Sequence, residues 1–226
     1  HLLDPGLVSK PVITGSSGAI LMSGTLYPPT MYANILSLPA SKTTAVAYPS
    51  PFAAMRRPVL VASDVTTKYT ERTPQNTELI RQHIQSLIDT TPGNVAVFAP
   101  SYALLNSIVS ETDFRGVRMM VEDRNWTKQD LDQVVETLLE EKKAGRKILL
   151  AGVFNARLSE GVDYHSGALD AVACIGIPNS PPSVLSSALK TYAEERFGRN
   201  LAWKYTVSQP AINSILQAMG RPIRSI

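Results

Sequence analysis

The feature that most constrains the fold is an alternation of short apolar runs with segments of helical periodicity. Val95–Ala99 is an unbroken run of five apolar residues, a pattern typical of strands buried on both faces of a parallel sheet. The segment before it, residues 76–89, places its apolar side chains at the three- and four-residue spacing of an amphipathic helix. Strands that alternate with helices favour right-handed crossovers and a sheet covered by helices on both faces.

The same patterns recur along the rest of the chain. Further strands are predicted at residues 19–22, 59–62, 117–121, 148–153 and 171–177. Further helices are predicted at residues 30–36, 104–109, 127–143, 183–197 and 208–219. We therefore expect one α/β domain over residues 1–226, with three layers, a mostly parallel sheet and helices on both faces.

The composition excludes several classes of protein. The 226 residues are 44% hydrophobic and 18% charged, which argues against a disordered chain and a coiled coil. No apolar run approaches the roughly 20 residues of a membrane span, so we expect no membrane partner. The sequence opens on His1 and no charged-then-apolar leader follows, so we expect a piece of a longer chain without a signal peptide. A net charge of +3 is weak evidence for nucleic-acid binding.

The residues that could ligate metals or nucleotides are sparse. Cys174 is the only cysteine, which excludes a disulfide framework and an all-cysteine metal site within this chain. The three histidines are not at zinc-ligand spacing, and no metal site is expected. The sequence contains no phosphate loop of the Gly-x-x-x-x-Gly-Lys-[Ser/Thr] type and no Mg²⁺-binding acidic box. An intact nucleotide site therefore cannot be built from this chain alone.

Two loops that follow predicted strands carry hydroxyl groups. In parallel α/β sheets, ligands bind beyond the carboxyl ends of the strands. Ser23 and Thr25 flank a glycine after the first predicted strand, where they could hold a phosphate or serve only as capping hydroxyls. Ser101 and Tyr102 follow Val95–Ala99, where they suit a nucleic-acid backbone and base face, or else a helix cap with a half-buried tyrosine.

Two further segments carry stronger signals. Glu160, Gly161 and Asp163 follow a predicted strand, and the glycine would let a ligand approach the backbone while the carboxylates accept hydroxyls. A polar turn is the alternative there. Near the end of the chain, Gln-x-x-Gly-Arg-x-x-Arg occupies residues 217–224. Arginine offers a planar fork of donors suited to phosphate, so a functional role is favoured over a solvated helix end.

Taken in order, these segments resemble the motifs of one helicase family. Residues 19–26 are similar to motif III of superfamily 2 DNA helicases of the XPD/DinG type, the iron–sulfur helicases, and residues 28–36 continue in the same way. Residues 95–105, 158–164 and 217–224 are similar to motifs IV, V and VI. The resemblance runs from about Leu3 to the end and implies a single RecA-like C-terminal motor domain, excised from a longer helicase.

The resemblance also implies roles for individual residues. Arg221 and Arg224 would contact ATP phosphates, with Arg224 as the arginine finger and Gln217 orienting the cleft. The nucleotide would also be lined by Gly161, Asp163 and Gly220. DNA contact, or its coupling to hydrolysis, would fall to Ser23, Thr25, Ser101, Tyr102, Glu160 and Arg157. Two departures from the family pattern are Pro222 within motif VI and Ala156-Arg157-Leu158, where the family often has Arg-Gly-Lys.

For the whole protein, the resemblance implies an ATP-dependent helicase with 5′→3′ movement and a role in DNA repair. ATP and Mg²⁺ would be held mainly by the missing first motor domain, and the iron–sulfur cluster would belong to the full-length protein only. The partners would be single-stranded DNA and that first motor domain, and the location cytoplasmic in a prokaryote or nuclear in a eukaryote. The isolated chain would hydrolyse no ATP.

Two other readings remain open. One is a stand-alone nucleic-acid-binding module with a degenerate helicase fold and no catalysis. The other is an unrelated nucleotide-binding enzyme of Rossmann-like fold, which is disfavoured because no glycine fingerprint follows any predicted strand.

Overall fold

The computed structural model describes residues 3–223, and within them four strands form one parallel sheet. The strands are β1 (Val95–Ala99), β2 (Arg118–Val121), β3 (Ile148–Val153) and β4 (Ala171–Cys174). Their spatial order is β2-β3-β1-β4, and all three neighbouring pairs are parallel. The register aligns Val95 with Leu149 of β3 and with Ala171 of β4. The α/β fold with a mostly parallel sheet is therefore confirmed.

Six helices match predicted ones, with boundaries that differ by at most two residues, and two others, Gly6–Thr14 and Arg199–Trp203, were not predicted. They are α1 (Gly6–Thr14), α2 (Pro29–Ile35), α3 (Pro74–Thr90), α4 (Tyr102–Val109), α5 (Lys128–Lys143), α6 (Val184–Phe197), α7 (Arg199–Trp203) and α8 (Gln209–Met219). A local sequence signal explains where α5 begins. Thr127 and Asp130 form a capping box that satisfies the first backbone amides of this helix. Two π-helical turns, Arg157–Gly161 and Lys204–Ser208, interrupt the regular elements.

The core has two halves because alternate residues of a strand point to opposite faces of the sheet. On one face, Val95 and Val97 pack with the buried isoleucines of α3 and with Leu104, Leu105 and Ile108 of α4. On the other face, Ala96, Phe98 and Leu150 pack with the leucine and valine stripe of α5. Helices thus cover both faces of the sheet, as the sequence predicts.

The chain divides into two compact units. The first comprises residues 1–53 and 180–213, and the second comprises residues 54–179 and 214–226. The second contains the whole sheet. In the first, Arg196 forms an ion pair with Asp4 at 2.5 Å, and the Asn34 amide donates to the Tyr205 hydroxyl at 3.0 Å. The expectation of a single motor domain over residues 1–226 stays a prediction.

Two predicted strands are wrong. Residues 19–22 and 59–62 are irregular, and Ile20 and Leu60 each keep 90% of their surface exposed. Within the described residues, no strand pairs with either segment, so their backbone groups do not enter a sheet. The last predicted strand is also shorter than expected, because β4 ends at Cys174 and Gly176 follows with a φ of +74°.

Among residues 3–223, no helix combines the length and the apolar character needed to cross a bilayer.

Candidate functional site

The loops that follow the four strands meet at one edge of the sheet, because the strands are parallel. Ser101 and Tyr102 follow β1, Glu122 follows β2, and residues 154–163 follow β3. The loop after β3 is the most structured of these, since it forms the π-helical turn Arg157–Gly161. We refer to residues 157–163 as the β3 loop.

The β3 loop buries one side and exposes the other. Leu158 and Ser159 are buried, whereas Glu160, Gly161 and Asp163 are exposed. The Ser159 hydroxyl accepts a hydrogen bond from the Ala156 amide at 3.2 Å, which closes the start of the turn. A Cβ atom added at Gly161 would meet only the Cβ of Arg157, at 3.8 Å. The exposed side therefore offers open backbone flanked by two carboxylates, an arrangement that can accept hydroxyl groups of a ligand.

Arg221 ties the C-terminal segment to this loop. Its guanidinium is buried, with Nε donating to the Ser159 carbonyl at 2.6 Å and Nη1 to the Val162 carbonyl at 2.8 Å. Buried charged donors bonded to carbonyls form strong and directional contacts. Gln217 and Gly220, at the end of α8 and just beyond it, precede Arg221 by four residues and one residue. The structure therefore brings Arg221 of the predicted C-terminal segment next to the main chain of the predicted segment 159–163.

Glu122 is a site residue that sequence reasoning missed. Its side chain is buried, and its two oxygens accept hydrogen bonds from the Val153 amide at 3.0 Å and the Leu158 amide at 3.2 Å. Burial raises the pKa of this carboxyl, against the lowering effect of the two amides and of the charge on Arg157. The available signal was its position directly after a predicted strand, where parallel α/β sheets commonly bind ligands.

Tyr164 is a second missed residue. It is fully buried, and its hydroxyl donates to the Leu158 carbonyl at 2.9 Å. Burial raises the pKa of this phenol well above its usual value, so the hydroxyl stays a donor. The Leu158 peptide is thus held at its amide by Glu122 and at its carbonyl by Tyr164.

The loop after β1 presents an aromatic ring beside a cation. Tyr102 is half-buried, and the guanidinium carbon of Arg124 lies 4.1 Å from the centroid of its ring. Ser101 caps α4, since its hydroxyl accepts from the Leu104 amide at 3.3 Å. Arg157 is exposed and donates from Nη1 to the Trp126 carbonyl.

Two predicted positions belong to the unit that does not contain the sheet. Ser23 and Thr25 belong to the first unit, where both hydroxyls lie 3.2 Å from each other and the Thr25 amide donates to the Ser23 hydroxyl. Arg224 lies outside the described residues.

Between residues 3 and 223, no set of three or more His, Cys, Asp and Glu side chains is placed to hold a metal ion. Burial raises the pKa of the Cys174 thiol to about 12, which leaves it protonated and a poor metal ligand.

Comparison with known protein families decides the class of the chain. A family model described as "Helicase C-terminal domain" matches residues 84–226, which include the sheet, the β3 loop and Arg221. The chain belongs to this family.

Curated relatives support the same assignment for this helicase C-terminal domain. It is 27% identical to the regulator of telomere elongation helicase 1 homolog of Anopheles gambiae, over 98% of this chain and 24% of that protein. It is 28% identical to the transcription and DNA repair factor IIH helicase subunit XPD/RAD3 of Saccharomyces cerevisiae, over 78% of this chain and 24% of that protein. The resemblance to XPD-type helicases is confirmed, and the chain spans about a quarter of these relatives' length.

Solved structures show the same fold. An XPD helicase structure superposes on the helicase C-terminal domain with a TM-score of 0.71 and 22% identity, over 97% of this chain and 39% of the other. A second, of apo XPD, gives a TM-score of 0.70 and 21% identity over 97% and 44% of the two chains. The chain therefore has the same fold as the matching part of these XPD helicase structures.

Proposed function

We propose that this chain is the second RecA-like motor domain of an ATP-dependent DNA helicase of the XPD type. The observation that supports it is the pair of hydrogen bonds from buried Arg221 to the carbonyls of Ser159 and Val162. This contact joins the segment similar to motif VI to the segment similar to motif V, at the ligand-binding edge of the sheet.

On this proposal, the exposed side of the β3 loop faces the nucleotide. When bound, ATP supplies the phosphoanhydride bond whose cleavage drives the motor, and Mg²⁺ neutralises phosphate charge. Gly161 lets the ligand approach the backbone, Asp163 accepts a ribose hydroxyl, and Gln217 and Gly220 complete the wall.

Arg221 and Arg224 have different roles in this proposal. Arg224 is the arginine finger that stabilises charge on the transferred phosphoryl group. Arg221, whose Nε and Nη1 donate to loop carbonyls, holds the β3 loop in place and also contacts the ATP phosphates.

The loops beside the nucleotide edge are proposed to grip single-stranded DNA. Tyr102 with Arg124 offers an aromatic and guanidinium surface on which bases stack, and Ser101 offers a hydroxyl to the backbone. Arg157 contacts phosphate, and Glu160 couples the β3 loop to DNA. Ser23 and Thr25 link hydrolysis to movement through their paired hydroxyls.

The whole protein would act by opening and closing two motor domains, each holding DNA, around the nucleotide. The first domain would carry the phosphate loop, the acidic Mg²⁺ box and the iron–sulfur cluster. We further propose 5′→3′ translocation, a role in DNA repair and, in a eukaryote, a nuclear location. This chain, which lacks a phosphate loop, would hydrolyse no ATP alone.

The decisive experiment is the DNA-stimulated ATPase of the full-length protein and of its Arg224→Ala variant. Arginine fingers contribute roughly 10³–10⁵-fold to the rate, so we expect kcat to fall by at least about 10³ while single-stranded DNA still binds. Arg146→Ala removes a cation from the opposite edge of the sheet and is the matched control. The direction of translocation is measured by placing a protein block at the 5′ or the 3′ end of a DNA strand and recording which block the helicase displaces.

Two results would contradict this proposal. Equal ATPase rates for the wild type and the Arg224→Ala variant would show that Arg224 is not the arginine finger. A full-length wild type that binds DNA yet hydrolyses no ATP would favour the stand-alone binding module.

A further inference from the structure

We infer that Glu122 is a positioning residue for the nucleotide site, because it fixes the β3 loop through the main chain. This inference rests on the proposed function, since it assigns Glu122 a part in presenting Gly161 and Asp163 to the nucleotide. Glu122 belongs to none of the segments that carry the helicase resemblance.

The carboxylate joins two different pieces of backbone. One oxygen, Oε2, accepts from the amide of Val153, the last residue of β3, and Oε1 accepts from the amide of Leu158 inside the π-helical turn. One side chain, placed after β2, therefore sets the distance between the end of β3 and the loop that follows it.

A glycine makes room for this bridge. A Cβ atom added at Gly152 would lie 2.9 Å from Oε2 of Glu122 and 3.2 Å from Cδ1 of Leu158. Any side chain at residue 152 would therefore push against the carboxylate or the loop. Gly152 of β3 and Glu122, which directly follows the neighbouring strand β2, thus serve the same contact.

The chemistry of the contact favours a carboxylate over its isosteres. A carboxylate presents two acceptor oxygens, one to each amide. Glutamine would present one acceptor and one NH₂ group, and the NH₂ group would face an amide N–H that it cannot bond. Aspartate is one methylene shorter, so it could not reach both amides from the same backbone position.

The other restraints act on different atoms of the loop. The Tyr164 hydroxyl bonds the Leu158 carbonyl, and Arg221 bonds the carbonyls of Ser159 and Val162. Among the described hydrogen bonds, Glu122 supplies the one that reaches the Leu158 amide. Loss of Glu122 therefore releases the Leu158 amide inside the turn, and the resulting change in the path of the turn shifts Gly161 and Asp163 relative to the nucleotide.

The test compares Glu122→Gln with Asp123→Asn in the full-length helicase. Asp123 is the adjacent, exposed carboxylate, so its variant removes the same charge without touching the loop. Hydrogen–deuterium exchange with residue-level fragmentation measures the exchange rate of the Leu158 amide. Steady-state kinetics measure kcat and KM for ATP. Single-stranded DNA affinity and overall exchange report whether the fold is intact.

For Glu122→Gln we expect about tenfold faster exchange at Leu158 and about a tenfold lower kcat/KM for ATP, carried mainly by KM, with DNA affinity within about twofold. Asp123→Asn is expected to match the wild type in all four readouts. If Glu122→Gln does not fold, Glu122→Asp is measured in its place. This variant keeps the negative charge, and the same changes in exchange and ATP kinetics are expected.

Unchanged exchange at Leu158 would overturn the inference. Faster exchange with unaltered ATP kinetics would also overturn it, while leaving the proposed function standing. If the wild-type helicase hydrolyses no ATP, the proposed function fails. The inference on Glu122 is then tested by the affinity for a fluorescently labelled ATP analogue. Equal affinity in wild type and variant overturns the inference, and weaker affinity in the variant supports it.

Discussion

Two apolar segments of similar composition lie in opposite environments, one in the core and one at the surface. Val95–Ala99 is fully buried as β1, whereas residues 59–62 are irregular, with Leu60 90% exposed. Both segments belong to the second unit. The difference is that β1 has β3 and β4 as hydrogen-bonded neighbours, while no described strand pairs with residues 59–62. An apolar run is thus eligible to be a strand, and its partners decide whether it becomes one.

The largest expected effect comes from truncating matched leucines in the two environments. Leu150 of β3 is completely buried, so Leu150→Ala leaves a cavity and should cost about 2–5 kcal/mol in the free energy of unfolding. Leu60→Ala should change it by less than about 0.5 kcal/mol. Urea denaturation of the chain measures both values, and a large loss for Leu60→Ala would show that residues 59–62 are packed in solution.

A smaller effect is expected from the polar groups at the amino end of the sheet. The Asn94 amide donates to the carbonyls of Leu138 and Ala168 at 2.8 and 2.9 Å and accepts from the Ile148 amide at 2.8 Å. Asn94→Ala leaves these buried groups without a partner and should cost about 1–3 kcal/mol.

Asn125→Ala, at an exposed position, is the control for this variant and should be nearly neutral. Equal denaturation midpoints for the two asparagine variants would show that water replaces the Asn94 amide.

The smallest effect concerns helix capping rather than burial. Thr127 is exposed, and its hydroxyl accepts from the Asp130 amide at 3.3 Å. Thr127→Ala removes this cap and should cost about 1 kcal/mol. Thr137→Ala, in the middle of the same helix, should be neutral or slightly stabilising because alanine favours helices. A lower thermal midpoint for Thr137→Ala than for Thr127→Ala would contradict the capping role.

Much of the fold could be predicted because its signals are local. The apolar stripes of α3 and α5 and the capping residue Thr127 lie within a few positions of the elements that they specify. The strand errors at residues 19–22 and 59–62 have the opposite origin, since pairing depends on residues distant in the sequence.

The candidate site follows the same division. Gly161, Asp163 and Arg221 stand in recognisable patterns, so the sequence could point to them as a group. Glu122 and Tyr164 act on the main-chain atoms of Leu158, and a sequence pattern does not encode which backbone atom a side chain reaches. Such supporting residues become visible only when the neighbouring strands are placed together.

The parallel sheet also has a practical consequence for engineering. Since every ligand-facing loop follows a strand, the loops before β2 and β3 lie at the other edge. Gly116 and Gly145 sit in those loops, both exposed, with open space where a side chain would stand. An epitope tag or a fluorophore-bearing peptide inserted at either position would label the domain at a distance from the β3 loop.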